Sequence, residues 1–573
     1  MNGCELGRAI VLRSWFFVLR SAIYIFVVVL SLAVSRAAAA PPSVTYLTPA
    51  GAQRGTEVDV VAGGTFDTWP VDVWTSGEGL RFEPGKKKGQ FKVSVDPAAV
   101  PGPRWVRFTN ELGSSVARPF YVGAIAEMQE KEPNELRKQA TVVGERPMVV
   151  NGALGTSGDV DLFQVVLKQG ATFVASVDAN YGLGSSIDCL LQLLDEAGNV
   201  VAQNIDDRGL DPRIVFAVPR DGTYYVRMFG FTAVPATAVK YAGGEDAVYR
   251  LTLTSGPFVD FAFPPLVSPG DVQPVTLRGW NLPDDLKPVS LPKAEASRRV
   301  RWLPHDFAGV AAVGAVNVPL TVATETNAAG SPRKLEFPTA VAATLRRPGE
   351  RHEYVLTGKK GSPVRIRVVS RTLGFPLDAL VKIYKPDGTL QIRLDDTAKE
   401  PDVDALLAPP LDGDYRLTVE DLFGNGGERY AYVLDVRPAA SDFALSFAAA
   451  ELTAEVGKPF EVAVNVDRPV PLTTDIGVRL LGLPEDFGAV EVVSVGKGPE
   501  AKTSAKKVVV KITPTKTFRG PIRAVGTVAD EAKTERTATA PSTVVPTQRL
   551  DEAWLTVVPA GKLPAPAAPA KKK

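Results

Sequence analysis

Asp221-Gly222-Thr223-Tyr224-Tyr225 and Asp412-Gly413-Asp414-Tyr415 stand 191 residues apart, and a whole module recurs around them. Ile187-Asp188 answers Leu377-Asp378, and Asp195-Glu196-Ala197-Gly198 answers Lys385-Pro386-Asp387-Gly388. Asp206-Asp207 answers Asp395-Asp396, and Tyr249-Arg250-Leu251 answers Tyr432-Val433-Leu434. The offsets run from 183 to 191 residues, so the chain holds two copies of one domain with small insertions. A solenoid repeats every 20–50 residues or so, which excludes that class. Duplicated modules that fold separately point to binding or scaffolding.

The runs between these turns alternate and are rich in Val, Thr, Tyr and Phe. With 50 glycines and 47 prolines and no long Ala/Glu/Lys/Leu stretches, this is the composition of an all-β protein. At 573 residues the length suggests roughly four domains of 100–200 residues. The formal charge is +1; residues 1–39 carry +3 of it, leaving the rest at −2. No basic patch stands out, so no nucleic-acid partner is expected.

Residues 1–39 read as a signal peptide. Arg8, Arg13 and Arg20 precede the apolar run Ala22 to Val34, and Ala37-Ala38-Ala39 offers a cleavage site. Arg20 interrupts the run, which is too short to span a bilayer, so no transmembrane segment is expected after cleavage. The expected location is exported: periplasmic, cell-surface or extracellular. Cys4 leaves with the signal, and Cys189, inside Cys189-Leu190-Leu191, reads as a buried small hydrophobe.

Residues 41–123 hold alternating strands such as Glu57-Val58-Asp59-Val60-Val61. Thr48-Pro49-Ala50-Gly51, Arg54-Gly55-Thr56, Gly63-Gly64 and Thr109-Asn110-Glu111-Leu112-Gly113 resemble the IPT/TIG immunoglobulin-like family. Residues 257–345 read as a degenerate segment of the same kind, through Ser268-Pro269-Gly270 and Pro274-Val275-Thr276-Leu277.

Residues 124–256 carry Glu132-Pro133-Asn134-Glu135 and Gly158-Asp159-Val160-Asp161-Leu162-Phe163. Leu193-Leu194-Asp195-Glu196-Ala197-Gly198, Asp206-Asp207 and Asp221-Gly222-Thr223-Tyr224-Tyr225-Val226-Arg227 follow. Together they resemble the bacterial pre-peptidase C-terminal domain family. That resemblance implies a jelly-roll-like β-sandwich, an accessory module often appended to secreted peptidases. Residues 346–438 read as copy two. No Glu-Pro-Asn signature precedes it there, and His352 stands where Asp161 stands in copy one. Residues 439–558 read as an immunoglobulin-like sandwich on strand pattern alone, and 559–573 as a disordered tail. The expected fold class is therefore all-β: tandem β-sandwich domains, immunoglobulin-like and jelly-roll-like, with almost no helix after the signal peptide.

Glu130, Glu132, Asn134 and Glu135 in the linker, with Asp159 and Asp161 at the first strand, are hard oxygen donors of the kind calcium takes six to eight of. The family resemblance implies calcium at this linker, in copy one alone. The competing reading is a solvated charged linker. Asp206-Asp207 and Asp395-Asp396 read as turn residues, with a weak second cation site as the alternative. Trp69 and Trp74 flank Pro70 in an expected loop and are the candidate ligand-binding pair for sugar or protein, packing being the alternative.

A Ser-His-Asp or Cys-His centre would need His305 or His352, the only histidines. Neither lies in a nucleophile-elbow pattern, and no His-Glu-x-x-His motif occurs. The reading is a non-enzymatic, secreted, multidomain binding or scaffolding protein of the bacterial envelope, with protein or polysaccharide partners. Its rivals are a catalytic or accessory part of a secreted hydrolase, and a carbohydrate-binding protein.

Overall fold

The computed structural model describes residues 40–144, 146–233, 240–268, 274–291, 300–323, 332–397, 400–439, 443–468, 476–493, 506–528, 535–545 and 549–563. Residues 1–39, read from sequence as a signal peptide, Pro269-Gly270 and residues 564–573 lie outside them. Among the described residues no helix is long and apolar enough to cross a membrane. Residues 41–563 form one compact unit of five β-sandwiches.

Period-two alternation builds the sandwiches. In Gly222–Thr232, Tyr224, Val226 and Met228 turn inward and are buried, while Tyr225, Arg227 and Phe229 are half-buried on the other face. Each sandwich has its own apolar core, and the second is filled by residues such as Phe163, Phe173, Leu191, Val226 and Leu251. Cys189 is fully buried in that core, where desolvation raises its thiol pKa.

In the second sandwich one sheet runs Glu127–Gln129, Met148–Ala153, Val248–Thr254, Thr172–Asp178, Arg213–Ala217. The other runs Thr141–Gly144, Asp161–Leu167, Gly222–Thr232, Ile187–Leu194, Val200–Asn204. The fourth sandwich has the same order strand for strand. Its sheets are Leu320–Val322, Thr339–Thr344, Ala431–Pro438, Val364–Val369, Val403–Leu407 and Arg333–Leu335, Arg351–Gly358, Gly413–Asp421, Ala379–Tyr384, Leu390–Leu394. In both, the opening strand pairs in parallel with the next one.

This moves a boundary. The fourth sandwich begins at Leu320, not at 346, because its two short leading strands belong to its sheets. The third sandwich is correspondingly smaller, with strands from Phe258–Phe263 to Ala312–Ala315. At the C-terminus, Gly561 donates its N–H to Glu455, so the expected tail is tied to the fifth sandwich at that residue.

The acid–glycine–tyrosine echo has a common geometry. Tyr224 Oη donates to the Arg220 carbonyl at 3.1 Å, and Tyr415 Oη to the Leu411 carbonyl at 2.8 Å. Asp221 accepts the Gln169 N–H and Asp412 the Lys360 N–H, each at 2.7 Å. The phenol ties back to the chain four residues upstream, as in a tyrosine corner, and the acid ties the turn to the loop opposite.

The sandwiches pack on one another. The Arg250 guanidinium is held by Glu127 at 2.8 Å and lies over the Tyr121 ring of the first sandwich at 5.2 Å. Gly51 of that sandwich must lack a side chain, because a Cβ there would sit 1.7 Å from Arg250 Nη1. Arg213 of the second sandwich pairs with Asp260 of the third and lies over Phe258 and Trp280. Arg429 of the fourth reaches Asp207 at 2.7 Å and Asp260 at 2.8 Å. The fifth sandwich meets the first through Trp554 and Trp74, 5.2 Å between ring centroids, and through Arg107 and Glu451 at 2.9 Å.

Candidate metal centre

The linker after Glu127–Gln129 returns beside the start of Asp161–Leu167. Glu130 extends the edge strand, its N–H donating to the Asn151 carbonyl at 3.0 Å. The Leu162 N–H donates to the Asn134 carbonyl at 3.2 Å, which pins the linker to the strand. Carboxylate oxygens of Glu130, Glu132 and Asp161 all lie within 4.8 Å of one another.

Tyr249, on the neighbouring central strand, closes the group. Its Oη is 2.6 Å from Glu130 Oε2 and 2.6 Å from Asp161 Oδ2. A phenol has one proton and can donate to only one carboxylate. The other contact needs a proton on the carboxyl or a cation that draws the oxygens together. Glu130 Oε1 accepts the Ala153 N–H at 2.6 Å, fixing that side chain from its other edge. Gly152 keeps the corner open: a Cβ there would fall 2.4 Å from Tyr249 Oη and 2.6 Å from Glu130 Oε2.

Burial makes this arrangement costly without a counter-charge. Asp161 and Asn134 are both fully buried. Asp161 Oδ1 and both side-chain atoms of Asn134 have no hydrogen-bond partner. Desolvation, and then the Glu130 charge, push the Asp161 carboxyl far above its usual range. Desolvation raises Glu130 as well, against the hydrogen bond from Tyr249. Glu132 is raised by partial burial and by the charges of Glu130 and Asp159. Desolvation pushes the Tyr249 phenol well above its usual value.

Three carboxylates and an amide oxygen are hard donors, suited to calcium or magnesium and not to zinc or copper. The orphaned oxygens, Oδ1 of Asn134 and Oδ1 of Asp161, fit such an ion; the Asn134 amide N–H₂ is a donor and would not ligate it. Of the six residues singled out by sequence, Glu130, Glu132 and Asp161 converge, and Asn134 adjoins them through its backbone N–H, which donates to Glu132 Oε2 at 3.1 Å. Asp159 is occupied otherwise: its carboxylate accepts the Gly155 N–H at 2.7 Å and the Val160 N–H at 2.9 Å, and it adds only its charge. Glu135 is exposed and stands outside the cluster. Tyr249 went unrecognised as part of the site. Its recurrence as Tyr432 marked it as structural and hid its second role.

The fourth sandwich differs at these positions. Ala323 stands at the place of Glu130, its N–H donating to the Ala342 carbonyl at 2.8 Å. His352 stands at the place of Asp161, and its Nδ1 is 2.8 Å from Tyr432 Oη. Two and four residues beyond Ala323 the sequence has Glu325 and Asn327, as Glu132 and Asn134 follow Glu130. Glu-x-Asn thus recurs ahead of the fourth sandwich without the proline of Glu132-Pro133-Asn134, and both residues lie outside the described ones.

Asp378, Asp395 and Asp396 also approach within 4.8 Å, but Arg371 is 3.1 Å from Asp396 and 3.7 Å from Asp378. In copy one Asp207 faces Arg213 and Arg429. An arginine thus takes the place a cation would have in each.

Trp69 and Trp74 do not form an exposed pair. Trp69 packs edge-on against Phe66 and Phe91 at 5.4 and 5.2 Å and donates Nε1–H to the Gly85 carbonyl at 2.9 Å. Trp74 lies against Trp554. Both indoles are held by apolar partners, the second by a sandwich far along the chain.

Comparison with known proteins agrees with the fold of this region. Residues 159–230 match the bacterial pre-peptidase C-terminal domain family. A probable subtilase-type serine protease of Deinococcus radiodurans is 35% identical over 98 residues, 17% of this chain and 14% of that protein. The chain thus spans about one seventh of the length of that curated relative. The pre-peptidase C-terminal domain of a Bacillus anthracis collagenase is 20% identical, covering 22% of this chain and all of that one, with a TM-score of 0.16. A Clostridium perfringens M60 catalytic domain with two CBM51 domains is 11% identical, covering 71% of this chain and 40% of that one, with a TM-score of 0.20.

Proposed function

We propose that the chain is an exported, non-catalytic scaffold of the bacterial envelope, stiffened by one calcium ion in its second sandwich. Glu130, Glu132, Asn134 and Asp161 would hold the ion. Its charge would offset the mutual repulsion of the carboxylates and tie the linker to the sheet. The carrying observation is that Asn134 and Asp161 are fully buried, each with an Oδ1 that lacks a partner, where Asp161 converges with the carboxylates of Glu130 and Glu132. Three residues before Glu130, Glu127 holds Arg250 against the first sandwich, so order in this linker bears directly on how the two modules are joined.

The non-catalytic reading is supported by the state of the histidines. His305 is buried with Nδ1 accepting the Phe307 N–H at 3.3 Å, and His352 is bonded to Tyr432 and Glu350. The presented surfaces would engage protein or polysaccharide outside the cytoplasm. The second reading, an accessory part of a secreted peptidase, is favoured by the 98-residue likeness to the subtilase-type protein.

Calcium titration with thermal melting tests the proposal. At a hundredfold excess over the dissociation constant, calcium adds about 2.7 kcal/mol and raises the melting temperature of the second sandwich by several degrees. If melting after chelation is the same as with calcium, the ion has no place in the reading. Hydrolysis of a general protein substrate by the purified chain would overturn the non-catalytic part.

A further inference from the structure

The register of the two related sandwiches aligns them residue by residue. Tyr249 pairs with Gly152 in copy one, and Tyr432 with Ala343 in copy two. Phe163 pairs with Val226, and Tyr354 with Leu417. Around the tyrosine that both sandwiches share, four positions therefore differ together: Glu130 corresponds to Ala323, Gly152 to Ala343, Asp161 to His352 and Phe163 to Tyr354.

These changes compensate one another. With alanine in place of Glu130, one of the two groups that a Cβ at the glycine position would meet is gone, the other being the tyrosine itself. The histidine and the added phenol then complete a chain of hydrogen bonds. Tyr354 Oη is 2.7 Å from Tyr432 Oη, which is 2.8 Å from His352 Nδ1, and His352 Nε2 is 3.1 Å from Glu350 Oε1. Glu350 Oε2 accepts the Arg346 and Arg347 N–H groups at 2.6 and 2.9 Å. One neutral tautomer satisfies every contact: Tyr354 donates to Tyr432, Tyr432 to Nδ1, and Nε2–H to the Glu350 carboxylate. No polar side-chain atom of these four residues is among the buried atoms without partners, in contrast to Asn134 and Asp161.

We infer that His352, with Tyr354 and Glu350, replaces the divalent cation in the fourth sandwich, so that one copy of the module is locked by a metal ion and the other by its own side chains. Relative to a cation site, the second copy has lost two carboxylates from the positions around its tyrosine and gained an imidazole. The loop before the strand, the strand itself and the closing strand Ala431–Pro438 are joined through protein atoms alone. This inference rests on the calcium reading of copy one for its contrast, but not for the role of His352.

Hydrogen exchange of the full chain, followed peptide by peptide with calcium or with chelator, separates the two. Calcium is expected to slow exchange in 161–167 and 248–254 and to leave 351–358 and 431–438 unchanged. His352→Ala should speed exchange in 351–358 and 431–438 on the order of tenfold, with no rescue by calcium. Tyr354→Phe, which restores the residue of copy one, should have a smaller effect at the same peptides if His352→Ala does not fold. The inference is overturned if calcium protects 351–358 in the unmodified chain, or if both variants exchange like it. A lack of calcium response in 161–167 alone would remove the calcium reading and leave the role of His352 standing.

Discussion

Tyr249 illustrates how much one side chain can carry. It fills the core of the second sandwich and also bridges two carboxylates that repel each other. Tyr249→Phe keeps the packing and removes the bridge. Outer partners of metal ligands are typically worth 10–100-fold in affinity, so calcium titration of this variant should shift by about that factor. Asp161→Asn should abolish the calcium-dependent gain in melting temperature, since it removes the most buried anionic ligand. His305 gives a separate prediction at this scale. Burial pushes its imidazole pKa down to about 4. Its unfolded value is about 6.5, so between these limits the unfolded chain binds more protons and stability rises with pH. The third sandwich should therefore be fully stable above about pH 6.5 and lose about 3 kcal/mol as pH falls towards 4. Melts of His305→Asn across that range should be flatter than those of the unmodified chain.

The recurring turns were legible in sequence because their chemistry is local: acid, glycine and tyrosine lie within four residues. Tyr415→Phe should cost about 1 kcal/mol, read from denaturant unfolding, and Asp221→Ala should also lower the midpoint, neither changing calcium response. The leading strands of copy two were not legible. Leu320–Val322 and Arg333–Leu335 are three residues each, too short to show alternation, and they are strands only because a longer neighbour pairs with them. The same shortness concealed Ala323 as the counterpart of Glu130. Of the acidic linker, sequence identified the donor types but could not tell Asp159, spent on loop N–H groups, from Asp161, buried without a full set of partners.

Across the whole molecule, sequence separation sets what can be foreseen. Trp74 looked like a free surface aromatic because its partner, Trp554, lies 480 residues away. Trp74→Ala should loosen the contact between the first and fifth sandwiches and raise the radius of gyration in solution scattering. The individual melting transitions should move little, because Trp74 is only half-buried. An unchanged radius would mean that Arg107–Glu451 and Arg519–Asp72 hold the contact by themselves.

The shared use of Asp260 and Asp207 by Arg213 and Arg429 has a bearing on the history of such a chain. Modules that duplicate and recombine freely must be self-sufficient at their borders. Here Asp260 of the third sandwich and Arg429 of the fourth meet opposite charge across the borders, while Arg213 and Asp207 of the second also face each other. The third or fourth sandwich transplanted into another protein would arrive with Asp260 or Arg429 parted from these partners. With such a seam, exchanging one member of the array for another module parts charges that beads on a string would never have shared.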